Sequence, residues 1–554
     1  MQLLSLLKEL SLHPKNAEEL KGLILQFAVQ GKLTGKWRET NTSVDNASVL
    51  LEKIVSYNEE QLKKKKRRIK KLSTDPDIVL DLPNNWIQTK NHVLFSLAKG
   101  KNPKDLSETV KKYPYQDIES LARGNVRRYS DDEKAFKCSV GDILVVCDGS
   151  RSGLVLDGKD GIVGSTLAII ETPPFIQSYI KLLFLQGYQK ANATMKGAAI
   201  PHLDTQTLLS SDIGLPPLEE QKAIVEVVNA LFEEVEALED LTKERISLKE
   251  DFVTSALRRL IETDNTTQEW NYLQQHFSSL FTEKKNIKSL RETILQLAVQ
   301  GKLTEVWRAN NLNTEPASEL LKRIQAEKQQ LIADKKIKKE KPLSPIEDED
   351  KPYEIPKGWV WCRVRDLLKI QNGYAFKSAE FSSAGIKLLR NLNIAHGEFK
   401  WKEIAMYPIS KLEGLDRFKL EKDDIVISLD RPLISSGLKI AKIREVDLPL
   451  MLLQRVGRVI AKELDINVDY LYLWFNSGSF VSSIDPGRSN GIPHISSREV
   501  ENLIFSLPPL IEQQAIVEKV NSLMTLCEEL EQQIDNSQTQ IEQLMQSCLK
   551  EVFD

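Results

Sequence analysis

The sequence predicts an α+β protein of several domains, in which two mixed α/β domains are joined by long helices and the whole arrangement is duplicated in tandem. The segment Leu215–Val225, LPPLEEQKAIV, recurs 292 positions later as Leu507–Val517, LPPLIEQQAIV. A helical heptad pattern follows each copy, and a block rich in glycine, proline and β-branched residues precedes it. At 554 residues the chain is also too long for one hydrophobic core.

Composition excludes several other classes of protein. No apolar run approaches the roughly 20 residues that span a bilayer, and Lys8 and Glu9 interrupt the first apolar stretch, so neither a membrane span nor a secretory signal is expected. The net charge of −3 does not decide about nucleic acid, because a basic face is a local property. Five scattered cysteines indicate a reducing cytoplasm and no structural zinc site: Cys138, Cys147, Cys362, Cys527 and Cys548.

The LPPL segment marks a boundary between two kinds of structure. Proline is not accommodated in a helix interior and pushes the residue before it out of the α region. The helix is therefore predicted to begin after the second proline, where Glu219 and Glu220 face the positive end of its dipole.

Further repeats show that the two halves share a set of similar segments around the divergent blocks, called the frame below. Leu20–Thr34, LKGLILQFAVQGKLT, matches Leu290–Thr304, LRETILQLAVQGKLT, and both halves contain a Pro-x-x-Trp element and an Ile-Pro-His tripeptide. We interpret the frame as doing one structural job twice while the divergent blocks act on different targets. The alternative is two related domains that have merely drifted apart. The predicted boundaries are an N-terminal helical arm at 1–81, mixed α/β domains at 82–214 and 355–506, a central helical region at 215–354 and a C-terminal helix at 507–554.

The helices after the LPPL segments carry a seam of apolar residues at heptad spacing, which is typical of a coiled coil and of a spacer of about 60 Å for about 40 residues. We expect this seam to be a coiled-coil or subunit interface. Leu241, Leu248 and Phe252 continue the first seam in a shifted register. The interface residues are Ile224, Val228, Leu231, Val235 and Leu238 in the first copy and Ile516, Val520, Leu523, Leu530 and Ile534 in the second.

Two more segments look like partner helices. Leu20, Ile24 and Phe27, and their counterparts in the second half, form an apolar stripe that ends at Gly31 or Gly301, each a suitable C-cap.

Within the divergent blocks, alternating patterns predict strands at 142–146, 162–170, 424–428 and 448–460, and helices at 178–187 and 468–476.

This combination of motifs resembles the specificity subunit of type I restriction-modification enzymes. Two blocks each end on an Ile-Pro-containing segment and a Leu-Pro-Pro-Leu-x-Glu-Gln-x-x-Ile segment, here Leu215–Ile224 and Leu507–Ile516. The resemblance covers essentially the whole chain, and the N-terminal arm is similar to that of a subfamily in which the central helical region is partly repeated.

The resemblance implies two target-recognition domains that each read one half of an asymmetric bipartite DNA site. It implies that the helical regions pack as an antiparallel coiled coil with pseudo-twofold symmetry, set the half-site spacing and dock two adenine methyltransferase subunits, which restriction-translocase subunits join. The chain itself would bind no cofactor and catalyse nothing, and its partner subunits would use S-adenosylmethionine, ATP and Mg.

Motifs for catalysis are missing from the sequence. Thr172-Pro-Pro-Phe175 lacks the Asn or Asp side chain that holds a target adenine, and no phosphate-binding glycine loop is present. Two alternatives nevertheless stay open: a self-contained DNA modification or cleavage enzyme, and a coiled-coil adaptor with no DNA role.

Candidate DNA-binding residues are those whose side chains suit base edges or phosphates and that fall in predicted loops. For any one of them the alternative is an ordinary solvated surface group, and for the basic run at 63–71 it is the solvated face of a helix. His202 and His494 belong to the repeated frame, so a structural hydrogen bond is expected of them. The candidates are Lys63, Lys64, Arg67, Arg68, Lys99, Lys101, Arg123, Asn125, Arg127, Arg128, Ser150, Arg151, Ser152, Asn372, Tyr374, Lys377, Arg390, Asn391, Arg431, Arg455, Arg488, Ser489 and Asn490.

Overall fold

A computed structural model describes residues 14–65, 77–194, 202–263, 265–334, 343–434, 437–460, 466–484 and 494–553. The chain forms two compact units, one of Met1–Ile246 with Gln538–Asp554 and one of Ser247–Ser537. The division falls inside the two long helices that follow the LPPL segments. Within the described ranges no helix combines the length and apolar character needed to cross a membrane.

The first unit contains a helical arm followed by a mixed α/β domain. Its elements in chain order are α1 (Pro14–Val29), α2 (Gly35–Thr40), α3 (Ala47–Lys65), β1 (Ile87–Lys90), α4 (Asn91–Leu94), β2 (Ser96–Lys99), β3 (Tyr113–Gln116), α5 (Ile118–Arg123), β4 (Tyr129–Ser130), β5 (Lys137–Cys138), β6 (Ile143–Val146), β7 (Val155–Asp157), β8 (Gly161–Val163), β9 (Leu167–Glu171), α6 (Gln177–Thr194), α7 (Thr205–Ser210), β10 (Asp212–Leu215) and α8 (Leu218–Glu262), whose last turns lie in the second unit.

The second unit repeats much of this order after two extra helices, and the last turns of its C-terminal helix lie in the first unit. Its elements are α9 (Thr266–Gln275), α10 (Phe277–Leu280), α11 (Lys284–Val299), α12 (Glu305–Asn310), α13 (Ala317–Ala333), β11 (Val360–Arg363), α14 (Val364–Leu367), β12 (Lys369–Asn372), β13 (Ile386–Leu389), β14 (Ala405–Tyr407), β15 (Ile425–Ser428), β16 (Leu433–Ile434), β17 (Gly437–Leu438), β18 (Ile440–Lys442), β19 (Leu450–Leu452), β20 (Val456–Ile460), α15 (Val468–Phe475), α16 (Gly478–Ser483), α17 (Ser497–Asn502), β21 (Ile504–Leu507) and α18 (Leu510–Phe553).

Both mixed domains have the same strand order in their main sheet, while their second sheets differ, with four strands in the first domain and three in the second. A four-stranded sheet has the order β2-β9-β6-β7 in the first domain and β12-β20-β15-β18 in the second. A second sheet is built on one parallel pair, β3 with β8 or β13 with β19. A two-stranded antiparallel ribbon joins the start of each domain to its end, pairing Ile87 with Leu215 and Val360 with Leu507. The duplication seen in the sequence is thus a duplication of the fold.

The central strand β6 is buried on both faces, which explains its unbroken apolar sequence. Ile143 and Val145 pack with Ile180 of helix α6, whereas Leu144 and Val146 pack towards the second sheet. Strand β15 divides its side chains between two cores in the same way.

Two predicted strands are each interrupted. The run 162–170 forms β8 and β9, because the chain turns at 164–166 and passes from one sheet to the other. A Cβ on Gly164 would lie 2.6 Å from the carbonyl oxygen of Gln116, so the approach of these two backbones requires glycine there. The run 448–460 likewise forms β19 and β20 around Arg455, whose φ is 70°.

The first heptad seam packs inside its own unit. Ile224, Val228, Leu231 and Val235 share a buried cluster with the α1 stripe and with Tyr179 of α6, and Leu238 borders this cluster. In the second unit the residues from Ile516 to Ile534 share a cluster with Leu290, Ile294 and Leu297 of α11. The predicted partner helices are therefore intramolecular neighbours of the seams. The shifted register is not buried: Leu241, Leu248 and Phe252 are exposed.

The glycines that end α1 and α11 are left-handed, as predicted for C-caps, with φ of 71° at Gly31 and 73° at Gly301. They also lie against the Pro-x-x-Trp element. A Cβ on Gly31 would come within 2.8 Å of Pro83 Cγ, and one on Gly301 within 2.6 Å of Pro356 Cγ. The arm helix can therefore approach the domain only because no side chain intervenes.

A buried carboxylate joins the arm, the domain and the long helix. Glu220, in the first turn of α8, accepts hydrogen bonds from Thr34 Oγ1 at 2.8 Å, Arg38 Nη1 at 2.5 Å and Asn85 Nδ2 at 2.9 Å. Its side chain is fully buried, so these donors replace the water that an ionised carboxylate requires. The LPPL segment thus contacts protein on all these sides.

Candidate nucleic-acid interface

The β6–β7 loop of the first domain is held in place by its own backbone and by one buried hydroxyl. Gly149 and Gly153 have φ of 107° and 91°, which places the turn in a conformation suited to glycine. Ser152 Oγ donates to the carbonyl oxygens of Cys147 at 3.2 Å and Gly149 at 2.9 Å. Ser152, a predicted DNA contact, is buried and supports the loop instead. Ser150 and Arg151 are exposed at its tip.

Two of the predicted lysines lie at the end of strand β2. Lys99 Nζ is 2.8 Å from Asp148 Oδ2, and this contact, followed by the one from His202, holds the pKa of Asp148 below its usual range. Lys101 is exposed two residues further on. Lys99 is therefore held beside the β6–β7 loop.

Of the four candidate side chains at the end of α5 and just after it, two are exposed and two are paired with acidic residues of the same domain. Asn125 and Arg127 are exposed. Arg123 pairs with Glu119 at 2.9 Å on the helix surface. Arg128 pairs with Asp117 at 3.0 Å and lies 4.5 Å from the ring centroid of Tyr115, so its guanidinium is engaged within the domain.

In the second domain the loop after β12 presents Asn372 and Lys377 at the surface, with Asn372 Nδ2 donating to Ser497 Oγ at 3.2 Å. The ring of Tyr374 is 5.0 Å from that of Phe376 and 5.4 Å from that of Phe418, and 39% of the residue is exposed. Such a ring offers one face to the core and an edge to a ligand.

Two arginines of this domain have left-handed backbones, which non-glycine residues adopt rarely. Arg431 has φ of 47° and Arg455 φ of 70°, and both are exposed. Nearby, Asn391 Nδ2 donates to Asp430 Oδ2 at 3.0 Å, and Arg390 Nη1 lies 3.8 Å from Glu403 Oε2. Asn391 is thereby tied to the loop that carries Arg431.

The remaining candidates fall in two places. Lys63 and Lys64 are exposed on α3, where Lys64 pairs with Glu60 at 2.8 Å. Arg67, Arg68, Arg488, Ser489 and Asn490 lie outside the described residues. Within the described part of the chain, no three His, Cys, Asp or Glu side chains are grouped so that they could hold a metal ion.

The sequence alone did not single out Asp148 and Asp430 as part of this interface. Each aspartate lies two residues after the central strand and faces the histidine of the Ile-Pro-His element, with Nδ1–Oδ1 distances of 2.9 Å for His202 and 3.2 Å for His494. Both halves of the sequence contain the same order of an apolar strand, an aspartate and a distant Ile-Pro-His element. This shared order could have identified the two aspartates from the sequence.

Comparison with known proteins agrees with these observations. The family model described as the type I restriction modification DNA specificity domain matches residues 83–248 and 356–540. The EcoAI specificity subunit of Escherichia coli, a type I restriction enzyme subunit, is 35% identical over 95% of this chain and 92% of its own length. The EcoEI specificity subunit of the same species is 26% identical over 94% and 91%. A solved structure from work on complex assembly of the type I R-M system aligns over 86% of this chain and 99% of its own, with 15% identity and a TM-score of 0.46.

The duplicated domains, each with an exposed polar loop edge on a shared frame, define a DNA-recognition protein rather than an enzyme built around one catalytic centre. The chain belongs to the family of type I restriction-modification specificity subunits and carries two target-recognition domains. Proteins of this family assemble with DNA and with other restriction-modification subunits.

Proposed function

We propose that each of the two domains reads one half of an asymmetric bipartite DNA site. The observation that supports this most directly is the pairing of one main-sheet order with two different loop sets: the same strand order presents Ser150 and Arg151 in one domain and Arg431 in the other. Arginine binds guanine by two parallel hydrogen bonds, and different loop residues at equivalent positions select different bases.

The helices α8 and α18 would serve as the spacer between the two readers. Each is a single helix of 45 or 44 residues. A helix of this length gives a separation of fixed size, which suits half-sites spaced by whole duplex turns of ~34 Å each. The two helices would pack antiparallel, with pseudo-twofold symmetry between the two halves of the chain.

Methyl transfer and cleavage would belong to the partner subunits. The complex would contain two adenine methyltransferase subunits docked on the helical regions, together with restriction-translocase subunits, in the cytoplasm. This chain would bind no cofactor, while the partners use S-adenosylmethionine, ATP and Mg.

Long-read sequencing of host DNA tests the central proposal. A strain that carries this chain and its modification subunit should show adenine methylation at one bipartite motif, and a strain without this chain should lose that methylation throughout. The purified chain alone should transfer no methyl group to DNA. Methylation that lacks two separated half-sites, or that persists without the chain, would refute the proposal.

A further inference from the structure

In the first recognition domain, a lysine and a histidine from distant segments contact the carboxylate of one loop aspartate. Asp148 follows β6 and accepts from Lys99 Nζ at 2.8 Å through Oδ2 and contacts His202 Nδ1 at 2.9 Å through Oδ1. The aspartate side chain is 29% exposed, against 55% for Lys99 and 71% for His202. The carboxylate is therefore beneath, and the two nitrogen-bearing groups face outward.

The second domain reaches the same arrangement with different residues. Asp430 follows β15, and its carboxylate lies 3.2 Å from His494 Nδ1 and 3.5 Å from Arg455 Nη1. Its side chain is 13% exposed, whereas those of His494 and Arg455 are 47% and 60% exposed. Lys99 ends the edge strand β2, but Arg455 precedes β20. The cation thus comes from different elements in the two domains while its position on the carboxylate is kept.

The trios adjoin the exposed loop arginines. Arg151 lies three residues after Asp148, and Arg431 directly follows Asp430. In protein–DNA interfaces phosphate contacts fix the register of the protein, and base contacts near them carry specificity. A pair of outward donors at the foot of a base-reading loop is therefore placed where a phosphate contact would orient that loop.

We propose that each trio, Asp148 with Lys99 and His202 and Asp430 with Arg455 and His494, is a clamp for one backbone phosphate of DNA. This inference rests on the proposed DNA-reading function. The aspartate is the positioning residue: it holds Nδ1 of the ring, so that Nε2 is directed to a ligand, and it holds the lysine or arginine beside that ring. Among the described residues, neither ring has a hydrogen-bond partner at Nε2.

The clamp is linked to a proton. Each histidine ring lies beside one carboxylate and one cation. These are Asp148 and Lys99 in the first domain and Asp430 and Arg455 in the second, and in each pair the two charges cancel. A neutral ring whose Nδ1–H faces the carboxylate offers only a lone pair at Nε2, which repels phosphate. A protonated ring offers an N–H there and makes the trio positive. Phosphate binding therefore selects the protonated ring, and DNA affinity is expected to be higher at pH 6 than at pH 8.

The test measures DNA affinity of the specificity chain purified with its modification subunits, at pH 6 and pH 8 and at several salt concentrations. The probes are a duplex with the mapped site and one with both half-sites scrambled. The variants are His202→Asn and His494→Asn, since the asparagine amide reaches Asp148 or Asp430 much as Nδ1 does but places no group at Nε2. The control is His276→Asn, on an exposed histidine outside both domains.

Replacing either histidine by asparagine is expected to weaken DNA binding about tenfold at pH 6 and little at pH 8, because a charge-assisted hydrogen bond to phosphate is lost. The loss should be equal on both probes. Lys99→Gln and Arg455→Gln should each lower the slope of log affinity against log salt by about 0.9. If the asparagine variants match the wild type at both pH values, the histidines are structural only and the clamp is wrong. If the wild type does not distinguish the two probes, the proposed function itself fails.

Discussion

Thr304 Oγ1 donates to Glu512 Oε1 at 2.7 Å, in the same way as Thr34 donates to Glu220 at 2.8 Å in the other half of the chain. Glu512 also accepts from Arg308 at 2.5 Å and from Trp359 Nε1 at 2.8 Å. Each LPPL helix start is therefore fastened to an arm helix and a recognition domain by one buried carboxylate, and the joint is rigid at both places where a reader meets a long helix.

Replacing the buried carboxylate should weaken that joint. Glu220→Gln leaves the partly buried guanidinium of Arg38 facing an uncharged amide, and we expect the free energy of unfolding to fall by about 3 kcal/mol, because breaking a buried ion pair is costly. Glu219→Gln is the matched control: its side chain is 56% exposed and paired with Lys222 at the surface, so about 0.5 kcal/mol or less is expected. Calorimetric unfolding measures both, and equal effects would contradict the assignment.

The capping glycines should tolerate no side chain. Gly31→Ala and Gly301→Ala combine a positive φ with a Cβ placed against a proline ring, and each should cost more than about 1 kcal/mol. Gly187→Ala, inside helix α6 with open space around the new Cβ, should be neutral or stabilise by up to about 1 kcal/mol. Thermal unfolding of the three variants separates backbone strain from the general effect of alanine.

Arg151 and Arg128 should behave oppositely although both were candidate readers. Arg151→Ala is expected to weaken binding of the cognate site by about 1–3 kcal/mol and to relax one base position in one half-site only. Arg128→Ala removes the contacts with Asp117 and Tyr115 and should lower the unfolding temperature of the first domain. Methylation mapping together with thermal unfolding checks both results; a changed second half-site in the Arg151 variant would be the contrary result.

Lowering the pH should remove the contribution that Asp105 makes to the stability of the folded protein. Hydrogen bonds from Ser130, the backbone N–H of Asp131 and Lys111 hold the pKa of this carboxyl well below its usual range. A lowered folded-state pKa contributes stability that is present above the unfolded value of about 3.9 and is lost as the pH falls towards the folded value. Asp105→Asn should therefore be less stable than wild type at pH 7 and approach it below about pH 4. The readout is unfolding temperature against pH, with exposed Asp45→Asn as the control.

Lengthening helix α8 tests its role as a spacer. The stretch between Leu238 and Val253 connects the last seam residue of the first core with the first buried residue of the second, so four residues inserted beside Glu239 disturb neither core. The insertion adds about 6 Å of helix. The mapped motif is expected to keep both half-sites and to gain a longer gap between them. Four residues inserted at exposed Leu312 should leave the gap unchanged, and altered half-site sequences would refute the spacer.

The sequence determined the parts of this protein that follow from local rules. The prolines of LPPL set where α8 and α18 begin, the glycines after the AVQ segments take the left-handed conformation, and the repeated frame predicts two equivalent domains. Periodicity and turn chemistry act over a few residues, which is why a single chain suffices to read them.

Only the tertiary structure decided which polar side chains are free to meet DNA. Arg127 and Arg128 are neighbours, yet Arg128 alone is held by Asp117 and Tyr115, and Ser152 is buried while Arg151 is exposed. His202 meets Asp148 across 54 positions of sequence. Solvent exposure and hydrogen-bond partners of loop residues depend on which distant segments pack beside them, and no local pattern records that choice.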